Sequence, residues 1–166
     1  MASRVSSVEV RPSAIGLGLF ASRGIRAGET ILRIRGRVLD WRVVKRRSGP
    51  SQDNCYRFGA ETYLDPGDDV SRYVNHSCAP NAAVRKEGRA LSLFAVKPIR
   101  AGAEIVFDYS TLTGDDDIWT LCCKCGRRGC RRLVKSFGSL PARVQRRYLR
   151  AGMVPAFIIE TLVNPD

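Results

Sequence analysis

The chain contains a single histidine, His76. A hydrolytic triad needs a nucleophile, a histidine and an orienting acid held apart from other duties. Here the only imidazole lies in the run Asn75-His76-Ser77-Cys78, beside a candidate metal ligand, so triad chemistry is disfavoured. No apolar run approaches the length of a membrane span. Residues 1–12 hold no hydrophobic segment of the secretion-signal type, and a soluble intracellular protein is expected. Lysine is scarce, 5 against 23 arginines, a bias consistent with a GC-rich bacterial genome. Acid is absent between residues 121 and 150, which carry ten Lys or Arg, although Asp115, Asp116 and Asp117 lie just before. Within a net charge of +12, that imbalance suits contact with nucleic acid or an acidic protein, and equally a solvated basic helix.

What is present fits one domain. At 166 residues the chain is long enough to bury a core, and 44% apolar with 27% charged residues is an ordinary globular balance. Six cysteines without a secretion signal argue against a disulfide scaffold. Cys123-x-Cys125 followed by Cys130 places three thiols within eight residues, close enough to share one tetrahedral Zn²⁺ with a ligand from elsewhere. Gly126 and Gly129 supply the turns such a knuckle needs, and either His76 or Cys78 can complete it. Cys55 and Cys122 are left over.

Short apolar or alternating stretches predict strands over 30–34, 37–39, 56–58, 63–64, 82–85, 90–96 and 104–107. Turn signals separate them at Ala27-Gly28, Gly49-Pro50, Asp65-Pro66-Gly67, Glu87-Gly88 and Ala101-Gly102. Together they indicate a β-rich domain of several small sheets. Ile25-Arg26-Ala27-Gly28 returns 74 residues later as Ile99-Arg100-Ala101-Gly102, a reused turn with glycine at positive φ. Residues 141–152 and 155–162 read as two short helices appended to the β domain. Gly16-Leu17-Gly18 lacks the third glycine of the dinucleotide fingerprint and alone says little. A tyrosine ending a strand, as Tyr109 does, is by itself most often core or surface filling.

Taken in order, these pieces resemble the SET-domain protein lysine methyltransferases. Gly16-Leu17-Gly18 with Phe20 and Gly28-Glu29 is similar to the N-terminal Gly-x-Gly segment of that family. Arg72-Tyr73-Val74-Asn75-His76-Ser77-Cys78-Ala79-Pro80-Asn81 is close to its Asn-His-Ser-Cys signature, with Tyr73 for the usual Phe. Glu104-Ile105-Val106-Phe107-Asp108-Tyr109 resembles the second signature, and the cysteines from Cys123 to Cys130 the post-SET segment. The likeness covers about residues 8–133, and the extension with Phe137, Leu140-Pro141, Tyr148 and Gly152 is similar to small bacterial members.

The resemblance implies a mainly β (α+β) β-clip fold of short sheets with a pseudoknot and short C-terminal helices. It implies a SET domain over 1–120, a zinc-binding post-SET segment over 121–134 and a helical extension over 135–166. The implied methyl donor is S-adenosylmethionine, bound by Gly16, Leu17, Gly18, Tyr56, Tyr73, Asn75, His76 and Leu133. Zinc would be held by Cys78, Cys123, Cys125 and Cys130, leaving His76 outside the metal. Tyr109 is the implied catalytic residue. Phe107 stands where an aromatic limits the number of methyls, and as Phe rather than Tyr it leaves room for di- or trimethylation. The implied partner is a lysine-bearing protein, a histone tail or similar basic peptide, and no membrane, while the charge of the basic tail adds an expectation of weak nucleic-acid contact. The expected location is a bacterial cytoplasm, or a host nucleus after delivery. Three departures stand out: no cysteine-rich segment precedes Gly16, Asp68-Asp69 replaces the usual Gly-Asn, and the insert between Val38 and Cys55 is short and basic. The alternative is a non-catalytic SET-like module binding protein or nucleic acid, which the intact Tyr109, Asn75 and His76 disfavour. A zinc-knuckle nucleic-acid binder would leave the N-terminal motifs unexplained.

Overall fold

The computed structural model describes residues 7–47, 50–117 and 119–163. Gly49 of the expected Gly49-Pro50 turn lies outside them, as do the first six residues of the N-terminal stretch. The first half of the chain runs β1 (Val8–Ser13), β2 (Gly16–Ala21), β3 (Thr30–Ile34), β4 (Arg37–Asp40), α1 (Trp41–Val44), α2 (Pro50–Asp53), β5 (Tyr56–Arg57) and β6 (Thr62–Asp65). It continues with β7 (Asn75–His76), β8 (Ala82–Glu87), β9 (Ala90–Ala95), β10 (Val106–Phe107), β11 (Leu121–Cys122), β12 (Leu133–Val134), α3 (Ala142–Arg150) and α4 (Ala156–Val163). Short 3-10 turns precede β7 (Val70–Tyr73) and follow β10 (Tyr109–Leu112).

These strands form small sheets, as the many turn signals imply. β9 is the centre of one, between β3 and β8, and all six of its residues are buried. Burial on both faces is why its sequence is a nearly continuous apolar run rather than an alternation, broken by Ser92, whose hydroxyl donates to Glu87 Oε2 at 3.2 Å. β6 is likewise central, between β4 and β5. The hairpin of β1 and β2 was not among the strands expected from the sequence. Its register closes with Ser13 opposite Gly16, whose φ of 104° suits glycine alone.

The repeated tetrapeptide has a structural counterpart. Ile25 and Ile99 exchange both backbone hydrogen bonds at 2.9 Å, so the two copies lie antiparallel against each other. Gly28 N–H donates to the Ala95 carbonyl at 2.8 Å, and Gly102 N–H to the Ala21 carbonyl at 2.7 Å. Ala95 N–H donates to Glu29 and Ala21 N–H to Ala103, a reciprocal pattern relating the two turns by a local pseudo-twofold axis. Both glycines take positive φ, 80° and 78°, as the sequence predicts.

β10 is gripped by residues 75–81. It pairs in parallel with β7, Val106 against Asn75 and Phe107 against His76. Ser77 N–H donates to the Phe107 carbonyl and Asn81 N–H to that of Val106. The Asn81 side chain adds a bond from Nδ2 to the Glu104 carbonyl and accepts one from Val106 N–H. The chain leaving β10 is thereby delivered against His76.

The C-terminal helices form where proline and glycine placed them, and Gly152 ends α3 with a φ of 62°. They do more than dock on the outside. Phe137, Leu140, Tyr148, Phe157 and Ile158 belong to the same buried cluster as Leu91 and Leu93 of β9. No helix among the described residues is long and apolar enough to cross a membrane.

Candidate active site

Asp108 caps the 3-10 turn after β10 by accepting from Ser110 N–H, and this turn sets Tyr109 at the head of a cavity. The Tyr109 ring lies 4.7 Å from Phe107, 6.1 Å from Trp119 and edge-on to His76 at 5.3 Å. Tyr56 stacks on the other side of Phe107 at 5.8 Å and 17°. Val74 and Leu112 complete the apolar wall, and Asp53, Asp116 and Asp117 stand among the lining residues. The Tyr109 hydroxyl donates to the Val74 carbonyl at 2.8 Å, and that of Tyr56 to the Ser71 carbonyl at 2.6 Å. Burial pushes the Tyr109 phenol well above its ordinary pKa, so it is a neutral, fixed hydroxyl. An aromatic box with one such oxygen can hold an alkylamine and orient its lone pair.

Beneath Tyr109 lies a buried polar knot. Asp108 is fully buried; Oδ1 accepts from Arg131 Nη2 at 2.7 Å and Oδ2 from the Tyr148 hydroxyl at 2.9 Å. One carboxylate thus joins β10, the cysteine-rich segment and α3. His76 is buried beside it, its Nδ1 accepting from Tyr109 N–H at 3.2 Å. That bond leaves the ring proton on Nε2, 3.4 Å from the Cys78 sulfur. Burial pushes the His76 pKa down to about 4, with Asp108 opposing and Arg131 assisting, so the ring is neutral.

The four sulfurs of Cys78, Cys123, Cys125 and Cys130 lie within 4.8 Å of one another. Cys123 is 3.7 Å from Cys78 and 3.5 Å from Cys130, too far for disulfides and near the edge of a tetrahedron with ~2.3 Å metal–sulfur bonds. Arg131 N–H points at the Cys78 sulfur at 3.4 Å, and His76 Nε2 approaches the same atom. Donors of this kind hold ligand thiolates in other metal sites. Of the two residues that spacing allowed as fourth ligand, Cys78 joins the cluster and His76 supports it.

The remaining expected donor-binding residues separate into groups. Tyr56 lies in the cavity, packed on Phe107. Gly18 is required for space, since a Cβ there would meet Glu104 Oε1 at 2.5 Å and Asn75 Nδ2 at 3.1 Å. The Asn75 amide donates to Glu104 Oε1 at 2.8 Å and to the Leu17 carbonyl at 3.0 Å. Side chains of Asn75 and His76 are thus engaged within the protein. Tyr73 is half-buried with the Arg72 guanidinium 5.6 Å from its ring. Leu17 and Leu133 are exposed, by 48% and 38%.

Two features escaped the sequence reading. Asp108 lay inside a motif without an assigned role. Arg57, 2% exposed, is neutralised by Asp116 at 2.5 Å and Asp117 at 2.9 Å, and Tyr63 also bonds to Asp117. An arginine within an expected strand, with an acidic run about sixty residues on, was the signal available.

Comparison with known proteins places this geometry. The chain is 36% identical over 128 residues to the histone-lysine N-methyltransferase Set2 of Drosophila melanogaster, covering 70% of this chain and 5% of that protein. It is 33% identical over 141 residues to the human histone-lysine N-methyltransferase 2B, covering 77% of this chain and 5% of the relative. The chain therefore spans a small fraction of these relatives. Among solved structures, Arabidopsis thaliana SUVH6 in complex with SAM superposes with a TM-score of 0.64 at 22% identity, over 76% of this chain and 33% of SUVH6. That likeness shows the fold. A family model described as SET domain matches residues 16–110, more than half of the chain, from the start of β2 through the 75–81 loop to just past Tyr109, and the protein belongs to the SET domain family.

Proposed function

We propose that this SET domain transfers the methyl group of S-adenosylmethionine to the side-chain amine of a lysine in a protein substrate, a histone tail or a similarly basic peptide. The observation that carries the reading is the Tyr109 hydroxyl, held neutral by burial and fixed on Val74 within a box of Tyr56, Phe107 and Trp119. In such a transfer the amine nitrogen bonds to the methyl carbon as the carbon–sulfur bond breaks, and the sulfur departs as a neutral thioether. The ammonium proton must leave first, since lysine ordinarily titrates near 10.4. Desolvation and the positive sulfonium of the donor disfavour the ammonium form, against the pull of the aspartates that line the cavity, and Tyr109 with nearby carbonyls orients what remains.

The donor would lie against Gly16, Leu17, Gly18, Asn75, His76 and Leu133. The exposed apolar surface of Leu17 and Leu133 supports this placement, and because the side chains of Asn75 and His76 are engaged internally, main-chain groups there would meet the adenine. Zinc fits the sulfur tetrahedron of Cys78, Cys123, Cys125 and Cys130 and would cross-link residues 121–134 to the 75–81 loop. Histone names among the relatives support the substrate class.

The test is methyl transfer from radiolabelled S-adenosylmethionine to a histone panel and basic peptides. Wild type labels lysine, and Tyr109→Phe, which keeps the ring, loses about 10²-fold or more of the rate. Equal labelling by both removes Tyr109 from catalysis, and no labelling by wild type overturns lysine transfer. Phe107 brings no hydroxyl into the box, so mass spectrometry of the product shows di- or trimethyl-lysine; a reaction halted at monomethyl would refute that role.

A further inference from the structure

Methyl transfer leaves the outer face of α3 without a task. Arg143, Arg146, Arg147 and Arg150 follow the i, i+3, i+4, i+7 spacing that puts them in one stripe. All four are exposed, and with Ala151 they line one shallow surface depression. Among the described residues no carboxylate pairs with any of them.

The arrangement works against the helix that carries it. Arg143 with Arg147, and Arg146 with Arg150, are like charges four residues apart, which destabilise a helix. The first turn has no acid, the cap residue Pro141 has no side-chain bond to offer, and Arg143 faces the positive end of the helix dipole. Stability comes from the opposite face. Tyr148 is buried and bonded to Asp108, Val144 packs on the core, and Gln145 Nε2 donates to the carbonyls of Gly138 and Leu140. The stripe is thus presented by the anchored opposite face, to which it adds only the Arg147 guanidinium 5.2 Å from the Tyr148 ring, and an anion would relieve its self-repulsion.

We propose that the arginine stripe of α3 is a docking surface for the phosphate backbone of double-stranded nucleic acid, bound without sequence preference. Four guanidinium groups stand within about 10 Å of helix axis, and each can take phosphate in a bidentate grip. A duplex supplies one negative charge per about 1.7 Å of axis counting both strands, enough phosphate for all four guanidinium groups. Binding of single strands relies on exposed aromatic platforms. The one aromatic of α3, Tyr148, is 1% exposed. Insertion into a membrane surface needs a free apolar face. Here that face is already packed into the core.

The experiment is fluorescence anisotropy of a labelled random-sequence DNA duplex across a salt series, with the full chain. Four phosphate contacts give a log–log slope of about −3.6. The variant R143Q/R146Q/R150Q flattens that slope by about 2.7 and weakens binding at least tenfold at about 50 mM salt. The single change R146Q flattens it by about 0.9 and guards against misfolding of the triple variant, which melting followed by circular dichroism also checks. R33Q/R35Q/R89Q removes the same charge from exposed positions elsewhere and should change the slope much less. An equal effect of that control, no duplex binding by wild type, or tighter binding of a single strand of the same length overturns the proposal. So does stripe-dependent binding of polyglutamate as tight as that of the duplex, which would assign the surface to an acidic protein.

Discussion

Asp108 is wholly buried, and its two carboxylate oxygens hold Arg131 and Tyr148, 23 and 40 residues away in the chain. Removing it would leave a guanidinium in a largely desolvated position and a buried phenol without a partner. Breaking such a buried pair from one side typically costs about 3–5 kcal/mol. Asp108→Ala is therefore expected to lose at least about 3 kcal/mol in urea unfolding. A loss below 1 kcal/mol would mean that water takes over the role of Asp108. The residue sits in a motif legible in the sequence, directly before Tyr109, yet its importance was not legible. A carboxylate acquires such weight only from the groups folded against it, and neither partner is near it in the chain. Cys78 contrasts with it: metal-ligand chemistry is so restrictive that cysteine spacing, with the resemblance, was enough to select it.

At the level of elements, most strands were readable, and those without a hydrophobic pattern of their own were not. β3, β6, β8 and β9 show alternation or apolar runs, and the strands expected at 30–34, 63–64, 82–85 and 90–96 lie on them. β10, two residues long, lies within the strand expected at 104–107, whereas β7 is too short for any period and exists because the 75–81 loop grips the strand after Glu104. The β1–β2 hairpin carries a sharper test. Gly16 needs its positive φ but has open space at its Cβ position, whereas Gly18 has ordinary φ and no space. Gly18→Ala pushes a methyl onto Glu104 and the Asn75 amide, and overpacking of this kind costs about 1–3 kcal/mol. Because Asn75 also holds the Leu17 carbonyl, the variant should weaken methyl-donor binding, measured by calorimetry, beyond what its lost stability explains. Unchanged affinity would detach the hairpin from the donor.

Across the whole molecule, the C-terminal third closes the structure in two places. Phe137, Tyr148 and Phe157 seal the main core, while Cys123, Val134 and the thiol cluster cover Tyr109 and Trp119 in a second, smaller one. The second cluster has few apolar residues, so a metal is its natural source of stability. Stripping zinc with a chelator should lower Tm by at least about 5 °C and loosen amide protection over residues 121–134 before that of β8 and β9. Donor affinity should fall with it, because the Cys78 loop includes His76 and Asn75. Unchanged affinity in a folded, zinc-free protein would show that the metal serves structure alone.

The sequence by itself determined the chemistry available: one histidine, three cysteines at ligand spacing with a fourth candidate far upstream, a tyrosine closing a signature, and a stretch with ten basic residues and no acid. Those are properties of residue type and local spacing, which survive any change of chain path. Only the tertiary structure decided the company each group keeps. It turned His76 into a neutral support for Cys78, gave Arg57 its two aspartates, and divided α3 into a sealing face and an arginine stripe. The physical reason is that desolvation, hydrogen-bond partnership and exposure depend on neighbours brought together from distant parts of the chain. Neither composition nor periodicity records which segments will meet.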